Sequence, residues 1–347
     1  MDGTVGLLSD PLGGTGRRAR PAGVVAGSPL TRIAGPADAL AWVADDLLVA
    51  ETTLRELIHS DVAAVPQVAG WLADAGGKRL RPALAALGAR AVGYDRPYTR
   101  LICAGELIHL GSLLHDDVVD DGAMRRGRPA AHVVHGNAVT VLTGDFCLAR
   151  AVLLAAEEGG HTCVTELARA VTEMAEGEVL QLRHAGDLST DREAYFEVID
   201  RKSAALIAWC CASGAWAAGK PELAAALERF GRGVGVAFQI TDDVLDYASG
   251  TGKSPGADLR QRKVTLPLIF AMEADPGLRD VLALGDPDAS AVPGLLERVR
   301  ATGALDRAQQ EAQERVEDAL AALGDLPAGT GRDALGALGR YLVERSI

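Results

Sequence analysis

Aromatic side chains are scarce in this chain, at 4% of 347 residues. β-Branched residues are comparatively sparse beside Ala and Leu, and no stretch alternates apolar with polar in the manner of a half-buried strand. Both shortages argue against a sheet protein and for an all-α one. Cysteine is limited to Cys103, Cys147, Cys163, Cys210 and Cys211, which sit in apolar stretches without metal-ligand spacing. Buried free thiols in a reducing, cytoplasmic setting are the expectation. A basic footprint is also missing. The formal net charge is −12, which excludes a general nucleic-acid binder. The longest uncharged stretch, 203–219, falls short of a membrane span and contains small polar residues. It is expected to be a buried core helix. Residues 1–36 are rich in Gly, Pro, Ala and Arg, and their apolar run is too short for a signal-peptide core. They are expected to form a disordered leader.

What the chain does have is helical periodicity, from Ala37 to the C-terminus. It predicts helices over 37–59, 82–92, 96–121, 132–156, 162–184, 191–218, 221–247, 265–274, 292–301, 305–322 and 331–346. Pro82 and Pro221 suit first turns, and Thr190 with Glu193 reads as a capping box. Loops are marked at Gly76–Gly77, 125–129 and 249–256. No linker interrupts residues 37–347. The expectation is a single-domain helical bundle of about ten or more helices around a central cavity.

Within this frame, residues 115–121 read His-Asp-Asp-Val-Val-Asp-Asp. Four carboxylates in six positions repel one another on a helix unless a cation compensates them. Asp116 and Asp120 share one face, with Asp117 and Asp121 on a neighbouring one. The pattern recurs as Asp242-Asp243-Val244-Leu245-Asp246. Carboxylate pairs one turn apart suit a hard cation such as Mg²⁺, which takes few carboxylates and completes its shell with water and phosphate oxygens. Two such clusters on separate helices could face each other and clamp a diphosphate.

The cations point the same way. Of 35 Lys and Arg residues only Lys78, Lys202, Lys220, Lys253 and Lys263 are lysines. A compact mobile ammonium suits phosphate. Gly76-Gly77-Lys78-Arg79-Leu80-Arg81-Pro82 is a Gly-rich turn feeding a helix start, where backbone N–H groups, Lys78 and Arg81 could together hold a diphosphate. It lacks Walker A spacing. His109 lies seven residues before Asp116, within about 20° of it on the helix. Arg125 and Arg126 either pair with the aspartates or meet phosphate. Gln239, at i to Asp242 and Asp246 at i+3 and i+7, is expected to line the same cavity.

Assembled in this order, the motifs resemble those of the trans-isoprenyl diphosphate synthases, or polyprenyl synthetases. The likeness runs from about Ala37 to the C-terminus through the Gly76–Pro82 turn, His109, Asp116–Asp120, Arg125-Arg126-Gly127, Lys202-Ser203, Phe238–Asp246 and Gly252-Lys253 through Asp258 to Lys263. The resemblance implies the all-α isoprenoid synthase fold, usually as a homodimer. It implies that Lys78, Arg81, His109 and Arg126 hold isopentenyl diphosphate. Asp116, Asp117, Asp120, Asp242, Asp243 and Asp246 are the metal-ligand candidates, for three Mg²⁺ carrying an allylic diphosphate. Arg125, Lys202, Lys253 and Lys263 fall to the diphosphates. Ser203 stands where threonine is usual, and Gln239 lies near the reacting centre. The implied catalytic set is Asp116, Asp120, Lys202, Ser203, Gln239 and Asp242.

The implied reaction is Mg²⁺-dependent trans condensation of isopentenyl diphosphate with an allylic primer, with transient membrane association for release of a lipid product. Gly111 and Ser112 stand where bulky aromatics stop the chain early in the family, so a medium- or long-chain product is expected. A short-chain farnesyl or geranylgeranyl product is the alternative. A terpene cyclase would need more aromatic walls than this chain offers. A non-catalytic subunit of a heteromeric synthase would typically have lost the acidic motifs.

Overall fold

The computed structural model describes residues 33–77, 79–94, 96–125, 127–248, 256–285 and 290–344. The expected leader, apart from its last four residues, lies outside them. The chain opens with α1 (Pro36–Trp42), α2 (Ala44–Leu57), α3 (Ala64–Ala73), α4 (Leu80–Ala91) and α5 (Thr99–Val119). A two-residue hairpin follows, β1 (Met124–Arg125) with β2 (Arg128–Pro129), which pairs Arg125 with Arg128. Next come α6 (Ala131–His135), α7 (Asn137–Leu154), α8 (Gly160–His184), α9 (Arg192–Ile199), α10 (Ala205–Ala217) and α11 (Pro221–Tyr247). The chain ends with α12 (Ala257–Arg260), α13 (Leu266–Ala274), α14 (Pro276–Ala283), α15 (Val292–Ala301), α16 (Ala304–Ala322) and α17 (Thr330–Glu344). The all-α expectation holds.

The helices gather into two compact units. Among the described residues, one comprises those up to 167 with 210–224 and 327–337; the other comprises those of 168–209 and 225–326 and those from 338 on. Each is stitched from separate stretches of chain, so no sequence-contiguous domain can be cut out.

Several boundaries depart from the periodicity for local reasons. The expected helix over 37–59 breaks at Val43, whose backbone (φ −112°, ψ 11°) leaves the helical region. The stretch 132–156 breaks at Gly136, with φ 84°. The stretch 191–218 is interrupted by a π turn over Asp200–Ala204. The capping box assigned to Thr190 is corrected: Asp191 is the N-cap, and its Oδ1 accepts from the Ala194 amide at 2.9 Å. A carboxylate one residue closer to the helix takes the position. Helix α3 is not among the expected helices: it carries Pro66 near its start, although its buried Val68, Ala69, Leu72 and Ala73 recur at helical spacing.

The scarce aromatics are mostly structural. Trp209, Phe230 and Tyr247 are among the largest fully buried side chains. Small residues then let helix backbones approach closely. A Cβ on Gly88 of α4 would lie 2.1 Å from the carbonyl oxygen of Cys211, and one on Gly214 would lie 2.5 Å from Ala89 Cα. The stretch 203–219 is a buried core helix, as expected: its residues 204–215 are buried throughout.

Backbone cannot yield as a flexible side chain does. Gly88→Ala is therefore expected to destabilise the protein by about 1–3 kcal/mol, read as a lower urea midpoint with an unchanged m-value.

Candidate active site

In the first unit, α5 delivers the first acidic motif at its C-terminal end. The helix stops at Val119, so Asp120 is the C-cap, and its amide donates to the Asp116 carbonyl at 2.8 Å. Asp121 follows with φ 49° and a side chain 98% exposed. Its short side chain tolerates the left-handed turn that ends the helix. Asp116 and Asp120 are half-buried, whereas Asp117 is buried. Asp117 Oδ1 accepts from Arg125 Nε at 2.6 Å, and its Oδ2 has no hydrogen-bond partner among the described residues. Arg125 is thus an ion-pair partner of the motif, held on β1.

His109 and Ser112 lie half-buried on α5, one and two turns before Asp116 in reverse order, and Ser112 Oγ donates to the His109 carbonyl at 3.0 Å. Gly111 has a different setting. A Cβ there would come 2.9 Å from the Gly144 carbonyl of α7. Its small size is what lets α5 and α7 cross, so it does not by itself measure the depth of a tunnel. Arg81 sits in the first turn of α4. Lys78, Arg126 and Lys253 lie outside the described residues.

In the second unit, a cavity of about 160 Å³ is lined by Lys202, Ser203, Gln239, Asp243, Asp258 and Lys263, among others. The π turn Asp200–Ala204 supplies Lys202 and Ser203, and it lies close against α8. A Cβ on Gly177 would sit 2.5 Å from the Lys202 amide nitrogen. Lys202 Nζ pairs with Glu178 Oε2. Ser203 Oγ donates to Gln239 Oε1 at 2.7 Å, and Gln239 Nε2 donates to Asp243 Oδ1 at 2.8 Å. Tyr195 Oη donates to Asp243 Oδ2 at 2.6 Å. A relay of hydroxyl, amide, carboxyl and phenol therefore runs along one wall.

This changes the reading of the second motif. Gln239 was expected to share a face with Asp242 and Asp246, yet its hydrogen bond is to Asp243, one α-helical turn on at i+4. Asp246 turns to the loop that follows α11. Its Oδ1 and Oδ2 accept the amides of Ala257 and Asp258 at 3.1 and 2.9 Å. It anchors the start of α12, while Asp242 is half-buried.

Burial pushes the Asp243 carboxyl from its ordinary 3.8 up to about 7; the Tyr195 and Gln239 bonds and Lys263 pull it back, and Asp242 pushes it further. Burial likewise holds Asp258 well above the usual carboxylate range, with Asp243 and Asp246 adding to it and Lys263 opposing. Tyr195, Asp258 and Glu178 were not assigned from the sequence. Tyr195 does stand seven residues before Lys202, a spacing that could have flagged it.

The donor set suits a hard cation. It consists of carboxylate oxygens, and buried Asp117 Oδ2 accepts no hydrogen bond from the described residues. Among the described residues, no three acidic, His or Cys side chains converge as an all-protein cage. Mg²⁺ held by one or two carboxylates plus water and phosphate oxygens needs none.

A helical scaffold carrying paired aspartate motifs and a lysine-lined polar cavity defines a class of diphosphate-handling enzymes. The polyprenyl synthetase family model matches residues 63–293. The chain is 39% identical over 312 residues to octaprenyl diphosphate synthase of Escherichia coli (strain K12), covering 87% of this chain and 96% of that one. It is 39% identical over 316 residues to an all-trans-nonaprenyl-diphosphate synthase (geranyl-diphosphate specific) of Rhodobacter capsulatus, covering 89% and 97%. Its fold matches a Caulobacter crescentus CB15 polyprenyl synthase complexed with calcium and isoprenyl diphosphate, with a TM-score of 0.85, 37% identity, and 90% and 99% of the two chains covered. The chain belongs to the polyprenyl synthetase family, and its fold is the isoprenoid synthase fold.

A carboxyl whose pKa is raised on folding favours the folded state only while protonated. The Asp243 contribution is therefore present below about pH 4 and lost as pH rises toward about 7. In metal-free protein with chelator, Asp243→Asn is expected to flatten the fall in unfolding free energy across that window, measured by denaturation at a series of pH values.

Proposed function

We propose that this enzyme condenses isopentenyl diphosphate with an allylic diphosphate primer, head to tail and trans, to make a medium- or long-chain polyprenyl diphosphate. The observation that carries the reading is the cavity in which Lys202 and Lys263 accompany the Ser203–Gln239–Asp243 relay of the second aspartate motif. Two ammonium groups beside hydrogen-bonded carboxyls suit a bound diphosphate better than an apolar ligand.

In this reading Asp116, Asp120 and Asp242 are the principal metal ligands, with Asp117 in support. Asp243 and Asp246, whose oxygens are engaged by Tyr195, Gln239 and two backbone amides, orient the motif. Three Mg²⁺ per site are proposed, and when bound they supply Lewis-acid stabilisation of the leaving diphosphate. Lys78, Arg81, His109 and Arg126 hold isopentenyl diphosphate. Arg125, Lys202, Lys253 and Lys263 meet the allylic diphosphate, and Arg125 also neutralises Asp117. The allylic C–O bond breaks as diphosphate departs with the electron pair. The isopentenyl double bond then attacks the allylic carbon, and the departed diphosphate takes up the proton whose loss restores a double bond. Ser203 and Gln239 keep the wall beside the reacting carbons in one hydrogen-bonded arrangement.

The octaprenyl and nonaprenyl activities of the two 39%-identical relatives support the chain length. Ser112, small and half-buried one turn before Asp116, supports it too. Five buried free thiols suit a cytoplasmic enzyme. A homodimer is proposed from an apolar face on α6 and α7, where Val133, Val134, Leu142 and Leu153 are 56%, 47%, 65% and 46% exposed. The stretch 137–184 contains an 18-residue window apolar enough for a membrane span, and only 39% of that window is buried. A second copy of the chain would cover this face, while transient contact with a bilayer would take up the lipid product.

Incubating the pure protein with isopentenyl diphosphate, Mg²⁺ and allylic primers is expected to give linear products of medium or long chain by mass spectrometry. Asp116→Ala and Asp242→Ala are each expected to lower kcat about 10²-fold or more; near-normal turnover at saturating Mg²⁺ would remove them from the ligand set. Leu142→Glu is expected to shift the sedimentation coefficient from dimer to monomer. An unchanged value would remove this face from the dimer contact.

A further inference from the structure

Arg79 is one of three non-glycine residues with positive φ among the described residues, at 48°. Left-handed backbone crowds the Cβ of an L residue against its own chain. A long side chain stays there only where its surroundings hold it. Arg79 is held through its guanidinium. Nε and Nη2 donate to the two oxygens of Glu51 on α2 at 2.8 and 2.9 Å. Nη1 donates to Glu106 on α5 at 2.8 Å, and Nη2 also reaches the Ala73 carbonyl at the end of α3 at 3.3 Å. One planar fork therefore ties α2, α3 and α5 to the residue that caps the start of α4.

This group is badly placed to bind phosphate. The Arg79 and Glu106 side chains are each only 10% exposed, and Glu51 is 17% exposed. Both carboxylates are engaged by Arg79, and Arg55 also reaches Glu51 at 3.9 Å, so the Arg79 charge is matched within the protein. Burial alone would weaken the protonated guanidinium, but Glu106 and Glu51 outweigh it and raise its pKa above the ordinary value. Arg79 is thus a cation inside a diphosphate-binding motif whose charge is spent on the protein.

Its partners suggest what it does instead. Glu106 stands three residues before His109 on α5, about one turn away. Arg81 stands two residues after Arg79, in the first turn of α4. The guanidinium that fixes the start of α4 is therefore bonded one turn from His109. The separation of Arg81 from His109 decides whether one diphosphate can meet both.

We propose that Arg79 is a positioning residue for isopentenyl diphosphate: the Glu51–Arg79–Glu106 cluster sets Arg81 relative to His109 and does not touch the substrate. The proposal rests on the assignment of Arg81 and His109 made above. Arg79→Lys keeps the charge and loses the fork. Glu106→Gln keeps the volume and weakens one arm, and it stands in if Arg79→Lys does not fold. Each is compared with the full-length wild type by calorimetric titration with isopentenyl diphosphate alone, by KM for isopentenyl diphosphate and for the primer, and by thermal midpoint. Misplacement by a fraction of an ångström is expected to raise the Kd and KM for isopentenyl diphosphate about tenfold while the primer KM stays within about twofold. Equal rises in both KM values, or an unchanged isopentenyl diphosphate Kd in a folded variant, would overturn the proposal. Arg81→Met is the control for the assignment beneath it. If that variant binds isopentenyl diphosphate as the wild type does, the assignment fails, and the positioning role falls with it.

Discussion

A buried carboxylate must find donors or give up its charge, and much of this protein's local architecture follows from that constraint. Glu51 and Glu106 are met by the fork of Arg79, and Asp117 by Arg125. Asp243 is met by a phenol and an amide, and Asp246 by two backbone N–H groups at the start of α12. Most of these donors come from distant sequence. Tyr195 and Asp243 are 48 residues apart, and Arg79 and Glu106 are 27 apart. Satisfying the acid therefore fixes tertiary neighbours. Asp117 Oδ2 accepts no hydrogen bond from the described residues, which leaves an acceptor beside the motif.

Close helix approach is the second constraint, and glycine meets it. Gly144 and Gly111 bring α7 and α5 together, and Gly177 brings α8 against the π turn that carries Lys202 and Ser203. The π turn widens the helix by one residue and so changes which face its side chains take relative to α10. A regular helix over 191–218 would have presented Lys202 and Ser203 differently. Aromatic side chains, few as they are, fill the core in the manner of Trp209 and Phe230 and line little of the polar cavity.

Much of the fold and site was legible because both kinds of signal are local. Helical periodicity is set by apolar spacing within one segment, and α11 and α15 begin and end where that spacing places them. The acidic pairs, the Gly-rich turn and the lysines stand out from an Arg- and Ala-rich background without any knowledge of tertiary contacts. Arg79 was visible in its motif, but its role was not, since Glu51 and Glu106 announce themselves only as surface-like glutamates. Gly111 invited a reading about tunnel depth for the same reason. The sequence says that the residue is small, and only the backbone of α7 says why.

The amino-acid sequence by itself determined the helical class, the family's motifs and the residue types able to manage diphosphate with a hard cation. Those follow from composition and spacing, which act over a turn or two of chain. Only the tertiary structure decided which carboxylates are already satisfied by the protein, as Asp243 and Asp246 are, and which cation serves the fold instead of the substrate, as Arg79 does. Hydrogen-bond partners and burial depend on groups dozens of residues away, and a linear pattern carries no record of that distance.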